Sequence, residues 1–269
     1  MNPGKLQGKR ALVTGSGTGI GREVALEFAR QGADVVIHYA GSRAGAESAA
    51  EEIIRIGRRC TVIHGNLADV ETCFQVVDSA AAFLGGLDVL VNNAGLTETH
   101  PFLEITPALF DKLYEINIRG QFFCAQRAAR FMVEQSGGAI VNMTSVHGLA
   151  SLPGYSVYAG TKGAIIAWTR ELAIELAPRK IRVNAVAPGW IDVPSDHIKF
   201  PDIDLQAGGK QIPLHRVGVP LDVARACAYL ASDDSDYIAG CVLVIDGGIT
   251  ARLALDSPEA NYGTWENLS

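Results

Sequence analysis

The sequence predicts a single α/β domain built on a parallel sheet, and three observations carry that expectation. At 269 residues and 48% hydrophobic, the chain can bury one large core and is too short to need two. An apolar run, Arg10 to Val13, leads through the glycine-rich TGSGTGIG, Thr14 to Gly21, into a helix-like segment, Glu23 to Arg30. That is a strand, a tight turn and a helix start. Leu87 to Val91 is apolar almost without interruption, as a parallel strand buried on both faces should be.

The remaining elements follow in order. Asp34 to Tyr39 (DVVIHY) is a β-branched run of strand length, closed by the small-residue turn AGSRAGAES, and Asp34 at its start reads as a turn residue. Helical spacing over 47–57 gives way to a short strand, Arg59 to His64, and then to Gly65-Asn66-Leu67. Asp69 to Leu84 is a helix with Asp69 as its N-cap. Thr106 to Gln135 has helical periodicity with Gly120 inside it, which predicts one long helix or two with an irregularity near Asn117. Ala139 to Thr144 is a strand that delivers Ser145 at its carboxyl end, where ligands gather in open α/β sheets. Tyr158 to Ala177 is a helix and Ile181 to Val186 a strand. The segment 193–213 is polar, broken by Pro201, Gly208 and Gly209, and suits a mobile lid. A helix over Pro220 to Ser232 and a last strand within Gly240 to Gly248 bring the strands to about seven.

Composition excludes several classes of function. A net charge of -6 and a pI near 5.5, with no basic run, leave nothing to neutralise phosphates, so no nucleic-acid partner is expected. No stretch reaches ~18 consecutive apolar residues, and the N-terminus MNPGKLQGKR is polar. The expectation is no membrane span, no secretory signal and a cytoplasmic protein. The five cysteines are odd in number and lack any Cys-x-x-Cys spacing, so they read as small apolar residues. The six histidines are ungrouped, and no metal site is expected.

Chemistry concentrates in two places. If Tyr158 opens a helix, Lys162 lies one turn on, on the same face. A phenol titrates near ~10, and bringing it to about 7 takes roughly 4 kcal/mol. One close cation at an effective dielectric of about 20 supplies about that much. The pair then forms an acid/base for an alcohol or a carbonyl, with Ser145 able to hold the reacting oxygen. In the first turn, Gly15, Ser16, Thr18, Gly19, Ile20 and Gly21 put backbone N–H groups and a helix N-terminus where a pyrophosphate binds.

With NNAG at Asn92 to Gly95, Asn117 and Pro188-Gly189 added, the motifs and their order resemble those of the short-chain dehydrogenase/reductase family over roughly residues 5–250. The resemblance implies a Rossmann fold over 1–250, a doubly wound parallel sheet with helices on both faces. It implies NAD(P)-dependent interconversion of a secondary alcohol and its carbonyl, with Asn117, Ser145, Tyr158 and Lys162 as the catalytic set. Asn117 is implied to kink its helix and link the lysine to bulk water, and Lys162 to bond the nicotinamide ribose as well.

The same resemblance assigns the cofactor. Asn92, Asn93, Ala94 and Gly95 pack near the adenine and its ribose, Pro188 and Gly189 turn toward the nicotinamide, and the main chain of Ile191 holds its carboxamide. Asn66, beside Leu67, stands where the family commonly has an adenine-binding Asp, and Val193 stands where it usually has Thr. At the second strand's end, Ala40, Gly41, Ser42 and Arg43 offer a hydroxyl and a guanidinium to a 2′-phosphate and no carboxylate to a 2′-hydroxyl. NADP(H) is favoured, and NAD(H) stays open.

For the substrate, Glu98, Ser145, His147 and Trp190 line the expected pocket, and Glu98, His147 and a tail beyond the last strand together resemble the glucose and polyol dehydrogenase branch; His147 reads equally as a loop histidine with a structural hydrogen bond. The alternative is a 3-oxoacyl-carrier-protein reductase, with Leu149, Leu152 and Trp190 lining an apolar site and Arg119 and Arg127 meeting an acidic carrier. A nucleotide sensor without turnover is the third reading. The apolar positions Ala164, Ile165, Trp168 and Leu172, assigned to the outer face of their helix, predict with the helix around Phe123 to Phe131 a homo-oligomer, a dimer or tetramer; the alternative is that they face the chain's own sheet. The tail 251–269, with Tyr262 and Trp265, reads either as docked at a subunit interface or as a frayed terminus.

Overall fold

Strands form on the apolar runs: β1 (Arg10–Val13), β2 (Asp34–Tyr39), β3 (Cys60–His64), β4 (Val89–Asn92), β5 (Gly138–Met143), β6 (Ile181–Pro188) and β7 (Val242–Ile245). In the computed structural model, which describes residues 4–135 and 137–252, they make one sheet in the order β3-β2-β1-β4-β5-β6-β7. Every pairing is parallel, with Leu12 of β1 level with Val36 on one side and Leu90 on the other.

The two-residue period of a strand divides the core. Val13 faces a cluster with Val35 and Ile37 that is covered by α1 (Gly19–Arg30), α2 (Arg43–Arg55) and α9 (Pro220–Ala231). Leu12, Val36, Leu90 and Ile140 face the opposite cluster, covered by α3 (Val70–Leu84), α5 (Gln121–Glu134) and α6 (Ser156–Leu176). Both clusters are closed to water, so truncating Leu12 to Ala costs about 2–5 kcal/mol.

Local signals hold where they were expected. Asp69 caps α3 by accepting from the Thr72 N–H at 2.8 Å. Asp34 is structural, taking 2.7 Å and 3.0 Å bonds from the Arg58 guanidinium and the Arg59 N–H. The irregularity near Asn117 is a π-helical turn, Glu115–Gly120, between α4 (Pro107–Tyr114) and α5. Gly120 is needed there, because a Cβ would press on the Leu67 carbonyl. Two short helices, α7 (Pro194–Lys199) and α8 (Leu205–Gly209), follow β6.

One expectation fails on α6. Ile165, assigned to the outer surface, is fully buried in its own chain. The core stripe of this helix is Val157, Thr161, Ile165, Thr169 and Ala173, and its two threonines conceal it from a hydrophobicity pattern. Trp168 and Leu172 lie at the edge of the core, while Ile174 points outward. Residues 253–269, with Tyr262 and Trp265, lie outside those described. Among the described residues no helix is long and apolar enough to cross a membrane. Cys73, Cys124 and Cys227 are buried, and Cys60 and Cys241 are partly so.

The strand order reverses between β1 and β4, which opens a crevice at the carboxyl ends of the strands. The glycine turn, the NNAG segment and Ser145 all leave the sheet at that edge.

Candidate active site

The glycine turn and the segment after β4 are bolted together. The Thr14 hydroxyl accepts from the Asn93 and Ala94 N–H groups, each at 3.0 Å, and the Asn93 amide donates back to the carbonyls of Thr14 and Gly15 at 2.9 and 3.0 Å. Gly15 takes a φ of +63°, and a Cβ on it would stand 2.8 Å from the Ala94 Cα. Ser16 is buried, its hydroxyl donating to the Val13 carbonyl at 2.6 Å, so its side chain serves the turn itself. Beyond it α1 begins at Gly19. Its N-cap, Thr18, makes no side-chain cap, and its first turn holds no acidic residue. Ile20 and Gly21 complete that first turn. N–H groups left open beside an uncompensated helix dipole fit a pyrophosphate.

The second turn is similar. Ala40 and Gly41 are exposed, Ser42 leads into α2 without capping it, and no acidic residue occupies that helix's first turn. Arg43 is exposed, with its guanidinium 2.8 Å from Glu47 one turn on. The Asn66 side-chain oxygen accepts the Ala68 N–H at 3.1 Å and closes its own loop. Leu67 is buried beneath it.

Asn92 is also turned inward. It is fully buried, and its amide donates to the Gln121 carbonyl and the Asn142 side chain, both at 3.0 Å. Its side chain thus holds the end of β4 and does not open on the crevice. Asn117 clamps the next stretch, accepting from the Leu96 N–H at 2.7 Å and donating to the Leu96 carbonyl at 2.9 Å and the Thr161 hydroxyl at 3.1 Å. Gly95 passes so close that a Cβ would stand 3.1 Å from the Asn117 oxygen and 3.7 Å from the Lys162 nitrogen.

The four residues of the predicted catalytic set therefore meet. Tyr158 and Lys162 occupy the first two turns of α6, with the Lys162 nitrogen 5.4 Å from the tyrosine ring centroid. That ammonium is buried and donates to the Met143 carbonyl at 2.9 Å. Ser145 is buried two residues beyond β5, its hydroxyl accepting from the His147 N–H at 3.2 Å. The electrostatics differ from those the spacing predicts. Burial pushes the Tyr158 phenol above its ordinary value, against the Thr97 and Ser145 hydroxyls and the Lys199 ammonium, which draw it down. Burial also lowers Lys162 to about 8. Desolvation acts on both members of the pair, and neither a phenolate nor an ammonium is cheap in that place.

Around Tyr158 the structure gathers the expected His147 together with Tyr155, Thr97 and Lys199, which sequence reasoning missed. His147 stacks on Tyr155 with centroids 4.1 Å apart and meets Tyr158 edge-on at 5.7 Å. It also bonds the Ser151 hydroxyl at 3.0 Å, the kind of structural hydrogen bond that a loop histidine makes. Tyr155 could have been found from its spacing three residues before Tyr158. Lys199 of α7 donates to the Thr97 carbonyl at 2.7 Å, a contact across 102 positions with no local signal. Glu98 is drawn aside, 2.6 Å from Lys112 and 3.7 Å from His100. The Trp190 ring lies against Gly208 of α8, where a Cβ would collide with it. Below it, the Pro188 carbonyl accepts from Ser145 at 3.5 Å, the Gly189 N–H donates to Ile245, and Ile191 is buried in a bridge to Gly218. Val193 puts one methyl group toward Gly19.

A parallel sheet that reverses order above an open glycine turn, with a tyrosine, lysine and serine at the same edge, defines a dinucleotide-dependent oxidoreductase acting on alcohols and carbonyls. Comparison with known proteins agrees. The family described as enoyl-(acyl carrier protein) reductase matches residues 15–250. The chain is 40% identical over 246 residues to a 3-oxoacyl-acyl-carrier-protein reductase of Staphylococcus aureus, covering 90% of this chain and 98% of that one. It is 38% identical over 256 residues to the tetrahydroxynaphthalene reductase of Pyricularia oryzae, covering 90% of each. A short-chain dehydrogenase of Burkholderia cenocepacia, solved in complex with NADP, superposes with a TM-score of 0.84 at 37% identity, covering 91% of this chain and 99% of that one. The chain belongs to the short-chain dehydrogenase/reductase family.

Proposed function

We propose that the protein is an NADP(H)-dependent reductase of a ketone carried on an apolar or flat aromatic body, with the reverse oxidation running at the same site. The single observation that carries this reading is the placement of Tyr158, its ring 5.4 Å from the Lys162 ammonium and its phenol within hydrogen-bonding reach of the Ser145 hydroxyl. Burial raises the phenol and so favours its protonated form, the form that gives a proton to a carbonyl oxygen. Ser145 steadies the same oxygen. Lys162, beneath the ring, bonds the cofactor ribose and supplies positive charge when the phenol ionises, and Asn117 keeps Leu96 and the π-helical turn in place beside it. The bound nicotinamide supplies the hydride.

The substrate class rests on what surrounds this centre. Three segments meet over it, tied by the Lys199 to Thr97 bond and by the His100 N–H donating to the Gly154 carbonyl at 3.0 Å. They carry Phe102, Leu103, Leu149, Leu152, Ile198 and Phe200, all exposed. With the His147–Tyr155 stack, that rim suits a flat apolar compound more than a sugar. One relative is named for a hydroxylated naphthalene. The sugar or polyol reading depends on Glu98, whose carboxylate is already held by Lys112. The acyl-carrier reading depends on Arg119 and Arg127, and these are paired with Glu115 at 3.0 Å and Asp78 at 2.5 Å. Preference for NADP(H) rests on Arg43 and the open N-terminus of α2. The segment 193–213, with Trp190 against Gly208, acts as a lid.

A homo-oligomer completes the reading. A groove of about 490 Å³ between α5 and α6 is lined by apolar residues such as Phe122, Val133 and Leu172, with Arg130, Glu134 and Glu175 also lining it. Next to it the buried Trp168 indole N–H has no partner among the described residues. A second copy of the chain covers this face.

The test is turnover of NADPH and NADH with aryl ketones, sugars and 3-oxoacyl thioesters, followed by nicotinamide absorbance. Reduction of aryl ketones with NADPH is the expected result. Turnover confined to sugars or to acyl thioesters would overturn the substrate assignment.

A further inference from the structure

The imidazole of His38 lies inside β2 with only 1% of the residue exposed, and nothing in the proposed chemistry uses it. Its two ring nitrogens meet opposite kinds of partner. The Gly15 N–H points at Nδ1 from 3.1 Å, and the Gly65 carbonyl stands 3.1 Å from Nε2. A donor on one side and an acceptor on the other leave a single arrangement, in which Nδ1 accepts and Nε2–H donates. The backbone of the same residue joins in. Its carbonyl accepts from the Ser16 N–H at 2.8 Å, and its N–H donates to the Ser16 hydroxyl at 3.2 Å.

We propose that His38 is a positioning residue for the dinucleotide site, its neutral ring tying the Gly15 N–H of the glycine turn to the Gly65 carbonyl of the loop after β3. Those two loops are the ones that frame the pyrophosphate and the adenine in the reading above, on which this inference rests. By engaging the Gly15 N–H from inside, the ring sets which N–H groups of the turn face the crevice. A protonated ring would lose the Gly15 bond, since imidazolium has no acceptor. Burial keeps the ring neutral by lowering its pKa to about 4, and His64 at the end of β3 is the titratable neighbour acting in the same direction.

The proposal predicts an unusual order among substitutions. A glutamine can accept through its oxygen and donate through its nitrogen, so His38→Gln restores both bonds, whereas His38→Leu fills similar space and restores neither. The experiment is NADPH titration by fluorescence with steady-state kinetics on the wild type and both variants. His38→Leu is expected to raise the NADPH dissociation constant at least about tenfold while kcat at saturating NADPH stays within about twofold, and His38→Gln to remain within about threefold on both. Leucine binding NADPH like the wild type, or glutamine losing as much as leucine, would overturn it. If the leucine variant does not fold, 15N-histidine NMR on the wild type decides. A neutral Nε2–H tautomer from about pH 5 to 8 is expected, and an Nδ1–H tautomer or an imidazolium contradicts the proposal. A wild type that binds neither NADPH nor NADH would instead overturn the dinucleotide reading itself.

Discussion

Lys162 lies under Tyr158 with its nitrogen 5.4 Å from the ring centroid, yet its hydrogen bond goes to the Met143 carbonyl and not to the phenol. The lysine and the tyrosine are therefore neighbours without a hydrogen bond between them, and the lysine sits where its own charge is costly.

That cost is measurable. The gap between an ordinary lysine at 10.5 and about 8 corresponds to about 3 kcal/mol of burial penalty while the ammonium is charged. Lys162→Met removes the penalty but leaves the Met143 carbonyl without its donor, at a cost of about 1–3 kcal/mol. The unfolded lysine holds its proton up to 10.5 and the folded one only to about 8, so wild-type stability rises with pH across that window. Below about pH 8 the methionine variant should melt above the wild type by a few degrees, with the difference shrinking and then reversing as pH climbs. Thermal melts of both proteins across that range check the crossover, and turnover of the variant should be lost throughout.

Lys199 offers a gentler perturbation. Its ammonium favours the ionised phenol, so Lys199→Met should move the pH profile of alcohol oxidation toward higher pH and slow oxidation at neutral pH. The loss should stay below about tenfold, because an exposed charge is screened. Lys199→Arg should restore the profile. A methionine variant whose profile coincides with that of the wild type would remove Lys199 from the account.

The proposed preference for NADP(H) rests on Arg43, which is 75% exposed on its side chain and must leave Glu47 to meet a phosphate. Arg43→Ala should raise the KM for NADPH about tenfold, equivalent to about 1.4 kcal/mol, and leave that for NADH unchanged. An unaltered ratio between the two coenzymes would mean that the guanidinium only pairs with its own helix.

The sheet was legible in the sequence because its strands are short apolar runs and some helix starts, like that of α3, carry a capping side chain. Asp34–Tyr39 is matched residue for residue by β2, and Asp69 caps α3 as its type and position predict. Tyr158 and Lys162 were legible for the same reason, since a four-residue step on one helix needs no tertiary knowledge. What spacing cannot convey is burial. Proximity predicts a lowered phenol, and desolvation reverses the sign. Contacts between distant segments were equally hidden: the engagement of Glu98 by Lys112, the closure of Asn66 on Ala68, and the reach of Lys199 to Thr97 depend on loops that only the folded chain brings together.

The account stands on Tyr158 as the group that exchanges a proton with the reacting oxygen, and Tyr158→Phe isolates that role by removing one hydroxyl. The deciding measurement is kcat for carbonyl reduction set beside the NADPH dissociation constant of the same variant. The prediction is a fall in kcat of at least about a hundredfold with the dissociation constant within about twofold of the wild type. A phenylalanine variant that turns over at a rate near the wild type's would contradict it.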